Sequence, residues 1–565
     1  MRTSIATFVF LKLFTGSIGF LVPLQVQRSR ILSPHSATGT CTEVHADSKQ
    51  SDVVIIGAGW GGLSAAYNLQ KSDPKLSITV VDSAPRVGGL VRDGFKSMNG
   101  KYNAEAGQHG FWDGYYNIFK LLEDLDIDDV LSGYDLQGQY SPRGLEAVWP
   151  VYRNNPQLPT GIAQALFTKF TTLSVPDRIS AFPLVLAFSE FDNSPEAWKQ
   201  YDNISFRDLC VKLGVSRKCY DEAFEPMILT GLFAPGSECS AAATLGMAYF
   251  FVLKSQNAFD VRWCKGNIGD KIFEPWVEFM EGDDGNGVNF MTSTRVIDFD
   301  ENQDEPNRIS KVICQDKDGK RVELHTDTVV LAVGGAALNA IVRNSPLLAK
   351  HQEFRKFANL GGTGVLATRL YFDRMLDIPY SANACWGFDR GVGQTFFDIT
   401  KLHGIDDAKG SIIEVDYYHA ASLIVMDDES IVHKVKRDLG TILGEQCDNA
   451  QVLDATIVRL PNAVNWYCTG SYENMPDIKS KAIENVYFVG DLVKTDHGSW
   501  SQEKAYVTGA EASNLILGRS KTKDIIPLAS DELHVSTGRK LVSAAKTIAG
   551  FGDASRAPSL VDFLW

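Results

Sequence analysis

The sequence predicts an α/β protein built on a Rossmann-like dinucleotide-binding domain. An apolar, β-branched segment at 52–56 leads into a glycine-rich turn and a helical pattern, and a second apolar segment at 76–82 ends in an acid. A third apolar segment, 486–489, ends in Gly490 and Asp491 and is again followed by a helical pattern. With 565 residues, of which 44% are hydrophobic, the chain is long enough for about two to four domains.

The composition argues against two classes of partner. The chain carries 55 Lys and Arg against 69 Asp and Glu, a formal net charge of −14, and such a surface repels a phosphate backbone. The nine cysteines lack the paired Cys or His spacing of a metal site. We therefore expect reduced thiols, no bound metal and no nucleic-acid partner.

The first 48 residues have the composition of a targeting sequence. Arg2 precedes an apolar stretch at 5–14, and residues 25–42 are rich in Ser, Thr and Arg without a single acid. The first pattern is typical of a secretory signal and the second of a transit peptide. With Phe20 near their junction, they resemble the two-part address of plastids of secondary endosymbiotic origin, so residues 1–48 predict a plastid (chloroplast) location. A plain secretory signal or a mitochondrial presequence is the alternative.

The turn at 57–62 reads GAGWGG and places Gly57, Gly59 and Gly62 at the positions of a dinucleotide fingerprint. The helix that follows points its backbone N–H groups and positive dipole end at a pyrophosphate. Asp82 lies 20 residues after Gly62, where a carboxylate accepts hydrogen bonds from a ribose hydroxyl. A tight glycine turn without a ligand is the alternative.

The residues after Asp82 favour FAD over a nicotinamide cofactor. Arg86 and the pair Gly88-Gly89 follow, and paired glycines allow the backbone to approach another phosphate or a ribityl chain. A second dinucleotide fingerprint does not occur in the sequence. We therefore predict one tightly bound FAD.

The segment around Asp491 predicts the other half of this site. Asp491 follows an apolar strand and is expected to bind the ribityl chain. A helix beginning near Ser501 directs its N-terminal dipole at flavin N1 and the C2 carbonyl, where negative charge collects on reduction. An ordinary βα unit is the alternative.

Four further segments carry a family resemblance. Residues 105–119 read EAGQHGFWDGYYNIF, 201–206 read YDNISF, 225–233 read EPMILTGLF and 240–251 read SAAATLGMAYFF. With the nucleotide motif, they resemble the flavin amine oxidase superfamily and, within it, the carotene desaturase branch of plant-type phytoene and zeta-carotene desaturases.

The resemblance implies a FAD-binding Rossmann-like domain of the GR2 type that is discontinuous along the chain, with an interleaved α+β substrate domain. It assigns 51–120, 286–343 and 478–520 to the FAD-binding domain, 121–285 and 344–477 to the substrate-binding domain, and 521–565 to a C-terminal tail. Alternating segments predict strands at 288–291, 296–299, 309–315, 321–325 and 328–334, with a hairpin at Asp318-Gly319. The cofactor-binding residues predicted from the motifs and the resemblance are Gly57, Gly59, Gly61, Gly62, Asp82, Ser83, Arg86, Gly88, Gly89, Leu90, Val296, Gly490, Asp491, Glu503 and Ala505.

Two residues are candidates for a catalytic role, although the chemistry is expected to be centred on the flavin. The family usually reads Glu-Gly-Ala where this chain has Glu503-Lys504-Ala505. Lys504 either lies near flavin N1 or points to solvent and pairs with an acid. His109 follows the Gly107 turn, and a packed, hydrogen-bonded histidine is the alternative to a catalytic one.

The resemblance implies an FAD-dependent oxidoreductase that dehydrogenates a long apolar polyene of the phytoene or zeta-carotene class by hydride transfer to flavin. A quinone or oxygen is the expected electron acceptor. The Phe-rich segment 161–191 is either ordinary helical core or a substrate-access surface that dips into one membrane leaflet, and an apolar tunnel is expected to open there. The alternatives are a flavin amine oxidase acting on a small amine, and a carotenoid cis-trans isomerase or redox-silent flavoprotein.

Overall fold

The computed structural model describes residues 47–282, 287–498 and 500–546. The targeting sequence predicted for residues 1–48 lies outside this range, except that residues 47 and 48 already belong to the first strand. The strands are, in chain order, β1 (Asp47–Ile56), β2 (Ile78–Val81), β3 (Phe95–Lys96), β4 (Asn103–Ala104), β5 (Gly110–Trp112), β6 (Gln137–Ser141), β7 (Gly144–Trp149), β8 (Lys169–Phe170), β9 (Val261–Trp263), β10 (Asn289–Met291), β11 (Arg295–Glu301), β12 (Ile309–Gln315), β13 (Arg321–Leu331), β14 (Gly362–Phe372), β15 (Ala382–Asp389), β16 (Val392–Asp398), β17 (Ile412–Tyr418), β18 (Val452–Asn465) and β19 (Val486–Phe488).

Twenty α-helices lie between and after these strands in the part of the chain that the structure describes. They are α1 (Trp60–Ser72), α2 (Tyr116–Asp124), α3 (Gln164–Phe167), α4 (Val175–Ser180), α5 (Leu184–Glu190), α6 (Pro195–Tyr201), α7 (Phe206–Lys212), α8 (Arg217–Cys219), α9 (Glu225–Gly231), α10 (Ala241–Phe251), α11 (Glu274–Glu281), α12 (Gly335–Asn344), α13 (Pro346–Ala349), α14 (Gln352–Lys356), α15 (Ile399–Leu402), α16 (Ala421–Ile424), α17 (Asp428–Leu443), α18 (Glu445–Asp448), α19 (Gln502–Ile516) and α20 (Leu533–Lys546).

A seven-stranded sheet contains the predicted nucleotide motif. Its strand order is β10-β2-β1-β13-β12-β11, and β19 also pairs with β13. Strands β1, β2, β10 and β19 run parallel to their neighbours, whereas β11, β12 and β13 form an antiparallel meander. The carboxyl ends of β1, β2 and β19 therefore meet at one edge, which is where open parallel sheets bind ligands.

One prediction about this sheet is wrong in detail. The segments 321–325 and 328–334 were expected to be separate strands, but they form the single 11-residue strand β13. Strand β1 pairs with β13 along its length, from Asp47 against Val322 to Ile56 against Leu331. The other edge of β13 is shared between β12 and β19, so continuous pairing on one side holds the strand straight through residues 326–328.

Helices α1 and α19 both contact strands of this sheet and pack closely against each other. The Ser64 hydroxyl donates to the carbonyl oxygen of Tyr506 at 2.6 Å, and the Ser513 hydroxyl donates to that of Ala65 at 3.0 Å. A Cβ on Gly509 would lie only 2.4 Å from the carbonyl oxygen of Gly61. The small residues of α19 therefore allow the two backbones to approach.

A second, eight-stranded sheet has the order β18-β14-β17-β16-β15-β6-β7-β8. One of its faces packs against α17 and builds a separate apolar core, to which Ile413, Val415, Ile431 and Val435 belong. The opposite face carries Glu414, Asp416 and Tyr418, because neighbouring residues of a strand point to opposite sides.

Part of segment 161–191 lies at the surface. Leu166 and Phe182 are each 73% exposed, and Val175 and Ile179 are each 64% exposed. Tail helix α20 is anchored near this segment, where the Glu532 carboxylate accepts a hydrogen bond from the Gly161 backbone N–H. Among the residues described, no helix combines the length and the apolar character that crossing a bilayer requires.

Candidate functional site

The turn between β1 and α1 needs glycine at two positions because a side chain there would clash with the backbone of the protein itself. Gly57 has a φ of +111°, and a Cβ there would lie 2.3 Å from the carbonyl oxygen of Ala332 on the neighbouring strand end. A Cβ on Gly62 would lie 1.9 Å from the carbonyl oxygen of Gly57. These two glycines allow the strand to turn directly into the helix.

Gly59 is different, because the protein itself leaves room for a side chain there. Its φ of −93° suits any residue, and a Cβ would have as its nearest neighbour the Gly89 Cα, at an ordinary 3.6 Å. The start of α1 has no side-chain cap and no acidic residue in its first turn. Side-chain-free backbone at an uncapped helix N-terminus fits the pyrophosphate of a dinucleotide.

Asp82 lies at the end of β2, beside this turn. Its carboxylate accepts hydrogen bonds from the backbone N–H groups of Ala58 and Ala84, each at 2.7 Å. One bond per oxygen leaves lone pairs for a ribose hydroxyl. Ser83, the next residue, is exposed. The Thr294 backbone N–H donates a hydrogen bond to the Asp82 carbonyl oxygen at 2.8 Å, and this contact brings Val296, at the start of β11, toward the same end of the sheet.

The Gly88-Gly89 loop is held by arginines with different roles. Arg86, predicted to contact the cofactor, directs its guanidinium to Asp93 at 2.7 Å, Asp270 at 3.2 Å and Glu274 at 2.5 Å. Its side chain therefore ties the loop to the start of α11. Leu90, at the loop's outer side, is 40% exposed.

Arg92 was missing from the predicted set. Its guanidinium donates to the Gly89 carbonyl oxygen at 2.9 Å. Burial lowers the pKa of Arg92, and the Asp82 carboxylate acts in the opposite direction. This cation is therefore close enough to the turn to balance phosphate charge. A basic residue shortly after the paired glycines is the signal that points to it.

The C-terminal half of the site adjoins the turn. A Cβ on Gly61 would lie 3.1 Å from the Gly490 nitrogen and 3.2 Å from the Ala505 carbonyl oxygen. Gly490 has a φ of +129° and open space where a Cβ would be. Asp491 accepts a hydrogen bond from the Asn465 amide at 2.7 Å and another from the Tyr467 hydroxyl at 3.2 Å.

Lys504 is buried, so the interpretation that it points to solvent is wrong. The residue is only 3% exposed. Burial lowers the pKa of Lys504 to about 8, while the carboxylates of Asp491 and Glu511 counteract that fall. Desolvation likewise raises the pKa of Asp491, against which Lys504 acts. The site therefore contains a mutually stabilised cation and anion.

Glu503 is one of the predicted cofactor-binding residues, and its side chain binds the start of α2. One carboxylate oxygen accepts hydrogen bonds from the Asn117 backbone N–H and side-chain amide, both at 2.8 Å, and the other accepts from the Ile118 N–H at 3.0 Å. The side chain has no exposed surface. Its carboxylate therefore caps the N-terminus of α2 and ties it to α19.

His109 lies in the turn after Gly107. Burial lowers the pKa of His109 to about 4, opposed by a hydrogen bond with the Gly107 backbone. Its buried Nδ1 has no hydrogen-bond partner among the residues described. The imidazole is therefore neutral at physiological pH, and its unpartnered nitrogen suits a polar edge of a bound group.

A buried charged cluster borders the Gly107 turn. It consists of Glu105, Glu414, Asp416 and Arg369, each no more than 4% exposed. Arg369 Nε donates to Glu414 at 2.5 Å, Arg369 Nη2 lies 3.6 Å from Glu105, and the Gln108 N–H donates to Asp416 at 3.3 Å. Sequence reasoning missed this cluster, although the alternation in 413–417 (IEVDY) puts Glu414 and Asp416 on one face.

Two surface cavities lie elsewhere. One of about 280 Å³ is lined by residues that include Tyr134, Trp263 and Lys401. A shallow one is lined by Tyr116, Phe250 and Lys254 among others. Neither is the apolar tunnel expected to open at 161–191. Within the described part of the chain, no group of three or more His, Cys, Asp or Glu residues is arranged to hold a metal ion.

Comparison with known proteins assigns the family that this geometry suggests. The family described as "Flavin containing amine oxidoreductase" matches residues 60–517, which begin at the start of α1 and extend beyond the end of α19. The chain belongs to this family. It is accordingly a flavin-dependent oxidoreductase with an α/β fold.

Relatives place the chain in the carotene desaturase branch of the family. It is 24% identical over 492 residues to the 15-cis-phytoene desaturase of Solanum lycopersicum, covering 84% of this chain and 80% of that protein. It is 21% identical over 502 residues to the zeta-carotene desaturase of Synechocystis, covering 85% and 99%. A putative protoporphyrinogen oxidase from Exiguobacterium shares the fold, with a TM-score of 0.57, 15% identity and coverage of 83% and 98%.

Proposed function

We propose that this family member is an FAD-dependent dehydrogenase of a long apolar polyene, of the phytoene or zeta-carotene class. The observation that carries the proposal is the alignment with proteins named phytoene desaturase and zeta-carotene desaturase, which spans 84% or more of this chain.

FAD is the flavin that fits the residues present. Gly59, Gly89 and Arg92 would hold the pyrophosphate, Asp82 the adenosine ribose, and Asp491 the ribityl chain. When bound, the flavin supplies a two-electron oxidant. The protein then has to position the substrate carbon, exclude water and take up a proton.

An aromatic series supports an apolar substrate path. The ring centroids of Phe251, at the end of α10, and Trp500 are 6.5 Å apart, and those of Trp500 and Phe233 are 5.5 Å apart. Phe233 and Tyr418 make an edge-to-face contact with a centroid distance of 4.6 Å. The start of segment 161–191 touches the end of α10, because a Cβ on Gly161 would lie 1.6 Å from the Val252 carbonyl oxygen. These rings link the surface segment to the start of α19. Water-excluding rings of this kind suit a hydrocarbon, whose binding free energy comes from removal from water.

The exposed part of segment 161–191 is proposed to dock on a lipid surface, from which the polyene is drawn. Leu166 and Phe182 present apolar side chains to solvent, and the neighbouring Lys169 and Arg178 supply positive charge suited to anionic lipid headgroups. Replacing Leu166 and Phe182 by Ser should reduce co-sedimentation with anionic vesicles. Val425→Ser, at an equally exposed apolar residue outside the segment, is the matched control. Equal loss in both proteins would contradict this docking.

The plastid is the proposed location, and the secondary endosymbiotic type of address is part of that proposal. Its support is residues 1–48 together with the words "chloroplastic/chromoplastic" in the name of the tomato relative. A quinone or oxygen is proposed to reoxidise the flavin. A fluorescent fusion with Phe20→Ser should fail to reach the plastid, and unchanged delivery would refute the two-part address.

Oxidation of a small amine is the second candidate. The buried carboxylates of Glu414 and Asp416 favour it, since a protonated amine requires such partners in an apolar site. Purified protein with bound flavin should be mixed anaerobically with phytoene or zeta-carotene in liposomes, and separately with putrescine. Bleaching of the flavin by a polyene alone supports the first candidate, and bleaching by putrescine alone supports the second.

A further inference from the structure

The charged cluster beside Gly107 contains more negative groups than its cation can neutralise. Burial raises the pKa of Glu105 to about 8 and raises those of Glu414 and Asp416 as well, while the Arg369 guanidinium acts in the opposite direction on all three. The closest partner of Arg369 is Glu414, and Glu105 also accepts hydrogen bonds from the Ile268 N–H at 2.8 Å and the Gln108 amide at 2.5 Å. Three ionised carboxylates and one guanidinium would leave a net charge of −2 in a buried volume, which is unfavourable.

Asp416 is the carboxylate of the cluster whose ionised form is least stabilised by hydrogen bonds. Its contact with the Gln108 N–H is long, at 3.3 Å, and its other oxygen has no hydrogen-bond partner among the residues described. A Cβ on Gly107 would lie 3.2 Å from Asp416 Oδ2, so the glycine lets the turn rest directly on the carboxyl group. Burial raises the pKa of Asp416 well above its ordinary value, and the charge of Glu414 raises it further.

The other titratable groups around the cluster do not supply the missing positive charge. Tyr418, two residues along the same strand, gives its hydroxyl to a hydrogen bond with Thr395, and burial raises its pKa. Burial lowers the pKa of His403 to about 3, and the charge of Arg369 lowers it further, so this imidazole is neutral. His109 is neutral for the reason given above.

We propose that Glu105, Glu414, Asp416 and Arg369 form a buried proton-binding site in which Asp416 is a neutral carboxylic acid at neutral pH. With that proton the net charge of the four groups is −1, and with one more proton it is zero. Glu105 is the group that accepts this further proton, because burial raises its pKa to about 8 and it is therefore ionised only above that pH. The cluster is the proton store for the redox reaction of this site.

The reaction itself rests on the proposed function. When a C–C bond becomes a double bond, one hydrogen leaves with its electron pair to the flavin. The adjacent carbon loses a proton, and the electrons of that C–H bond form the second bond between the two carbons. The cluster takes up this proton, so charge and electrons balance without another reagent.

The first test needs no substrate and no turnover. Infrared spectra of flavin-free protein labelled with ¹³C in its Asp carboxyl groups should show an isotope-shifted acid carbonyl band at neutral pH. Asp416→Asn should remove that band. Asp438→Asn should keep it, because Asp438 is a buried aspartate of helix α17, which packs on the opposite face of the sheet, and it is paired with Lys434 at 2.6 Å. Absence of the band in unmodified protein would overturn the proposal.

The second test measures proton uptake. Asp416→Asn replaces a neutral acid by a neutral amide, so the net charge of the cluster stays at −1 and this variant should match unmodified protein. When the bound flavin is photoreduced anaerobically above about pH 8 with a pH-indicator dye present, unmodified protein should take up about one proton more per flavin than Glu105→Gln, by the charge count above. Equal uptake in unmodified protein and Glu105→Gln would also overturn the proposal. Loss of the acid band on adding putrescine would show carboxylates that bind a cation, and this too would overturn it. Failure to oxidise any polyene, with the band and the uptake present, would refute the proposed function alone.

Discussion

Gly59 allows cofactor binding to be separated from folding, because its missing side chain is not needed by the protein. Alanine there loses the better N-cap properties of glycine, which costs about 0.5–1 kcal/mol. It gains about 0.4–1 kcal/mol from the reduced entropy of the unfolded chain. With no protein atom closer than 3.6 Å to the new Cβ, we expect flavin-free Gly59→Ala to be as stable as unmodified protein within about 1 kcal/mol.

The same methyl group should weaken the binding of the cofactor strongly. A methyl forced against a pyrophosphate is an overpacking event of about 1–3 kcal/mol, which corresponds to roughly a 5- to 150-fold weaker Kd for FAD. Gly59→Val should weaken binding further. Titration of flavin-free protein with FAD, followed by flavin fluorescence, measures this difference.

Gly62→Ala is the matched contrast. Its Cβ would lie 1.9 Å from the Gly57 carbonyl oxygen, so the turn must shift whether or not flavin is bound, at a cost of about 3 kcal/mol or more. We expect a lower urea midpoint for this variant and an unchanged midpoint for Gly59→Ala. An unchanged FAD Kd in Gly59→Val would refute the reasoning, as would equal destabilisation of the flavin-free forms.

Three further outcomes are expected. Lys504→Met should lower the flavin midpoint potential by the order of tens of mV, because it removes a cation that favours the reduced anion. The pKa of Lys504 is about 8 in the folded protein against an ordinary 10.5, so the unfolded chain binds more protons between these two pH values. The free energy of unfolding of unmodified protein should therefore rise across that pH range, and that of the variant should not. Glu503→Gln should lower the stability by about 2–4 kcal/mol, from lost charge-assisted hydrogen bonds at the start of α2, as measured by urea unfolding, whereas the exposed Glu278→Gln should have little effect. His109, with a pKa of about 4, should add no step to the pH profile of flavin reduction between about pH 5.5 and 8, so a step in that range that disappears in His109→Gln would contradict its neutral state.

The sequence was informative wherever a local pattern has a single structural solution. The arrangement around Gly57 and Asp82 could be predicted from a strand, a glycine turn, a helix and a second strand that ends in an acid. Each of these elements follows the previous one directly in the chain, so the order of residues is sufficient to place them. The length of β13 could not be predicted in this way. Its continuity depends on β1 and β19, which pair with it from both ends of the sequence.

The roles of individual charged residues were harder to predict for the same reason. Glu503 and Lys504 are adjacent in sequence, yet one caps a helix formed by residues 116–124 and the other interacts with Asp491. Glu105 and Arg369 meet only because the second sheet packs beside the Gly107 turn. Tertiary partners of this kind leave no spacing in the sequence from which they can be inferred.

The pairing of α1 with α19 sets the time at which the protein can acquire its cofactor. Ser64 and Tyr506 are 442 residues apart in sequence. In the flavin site Gly61 likewise lies beside Gly490 and Ala505, so the site contains residues from distant parts of the chain. A chain emerging from a ribosome or a translocation pore therefore has no complete flavin site until almost all of it has been released. Contacts so distant in sequence are slow to form, and the unfinished chain has to be kept from aggregating meanwhile. Bound flavin thus reports that synthesis of the chain has finished, and a chain truncated before α19 is expected to remain colourless.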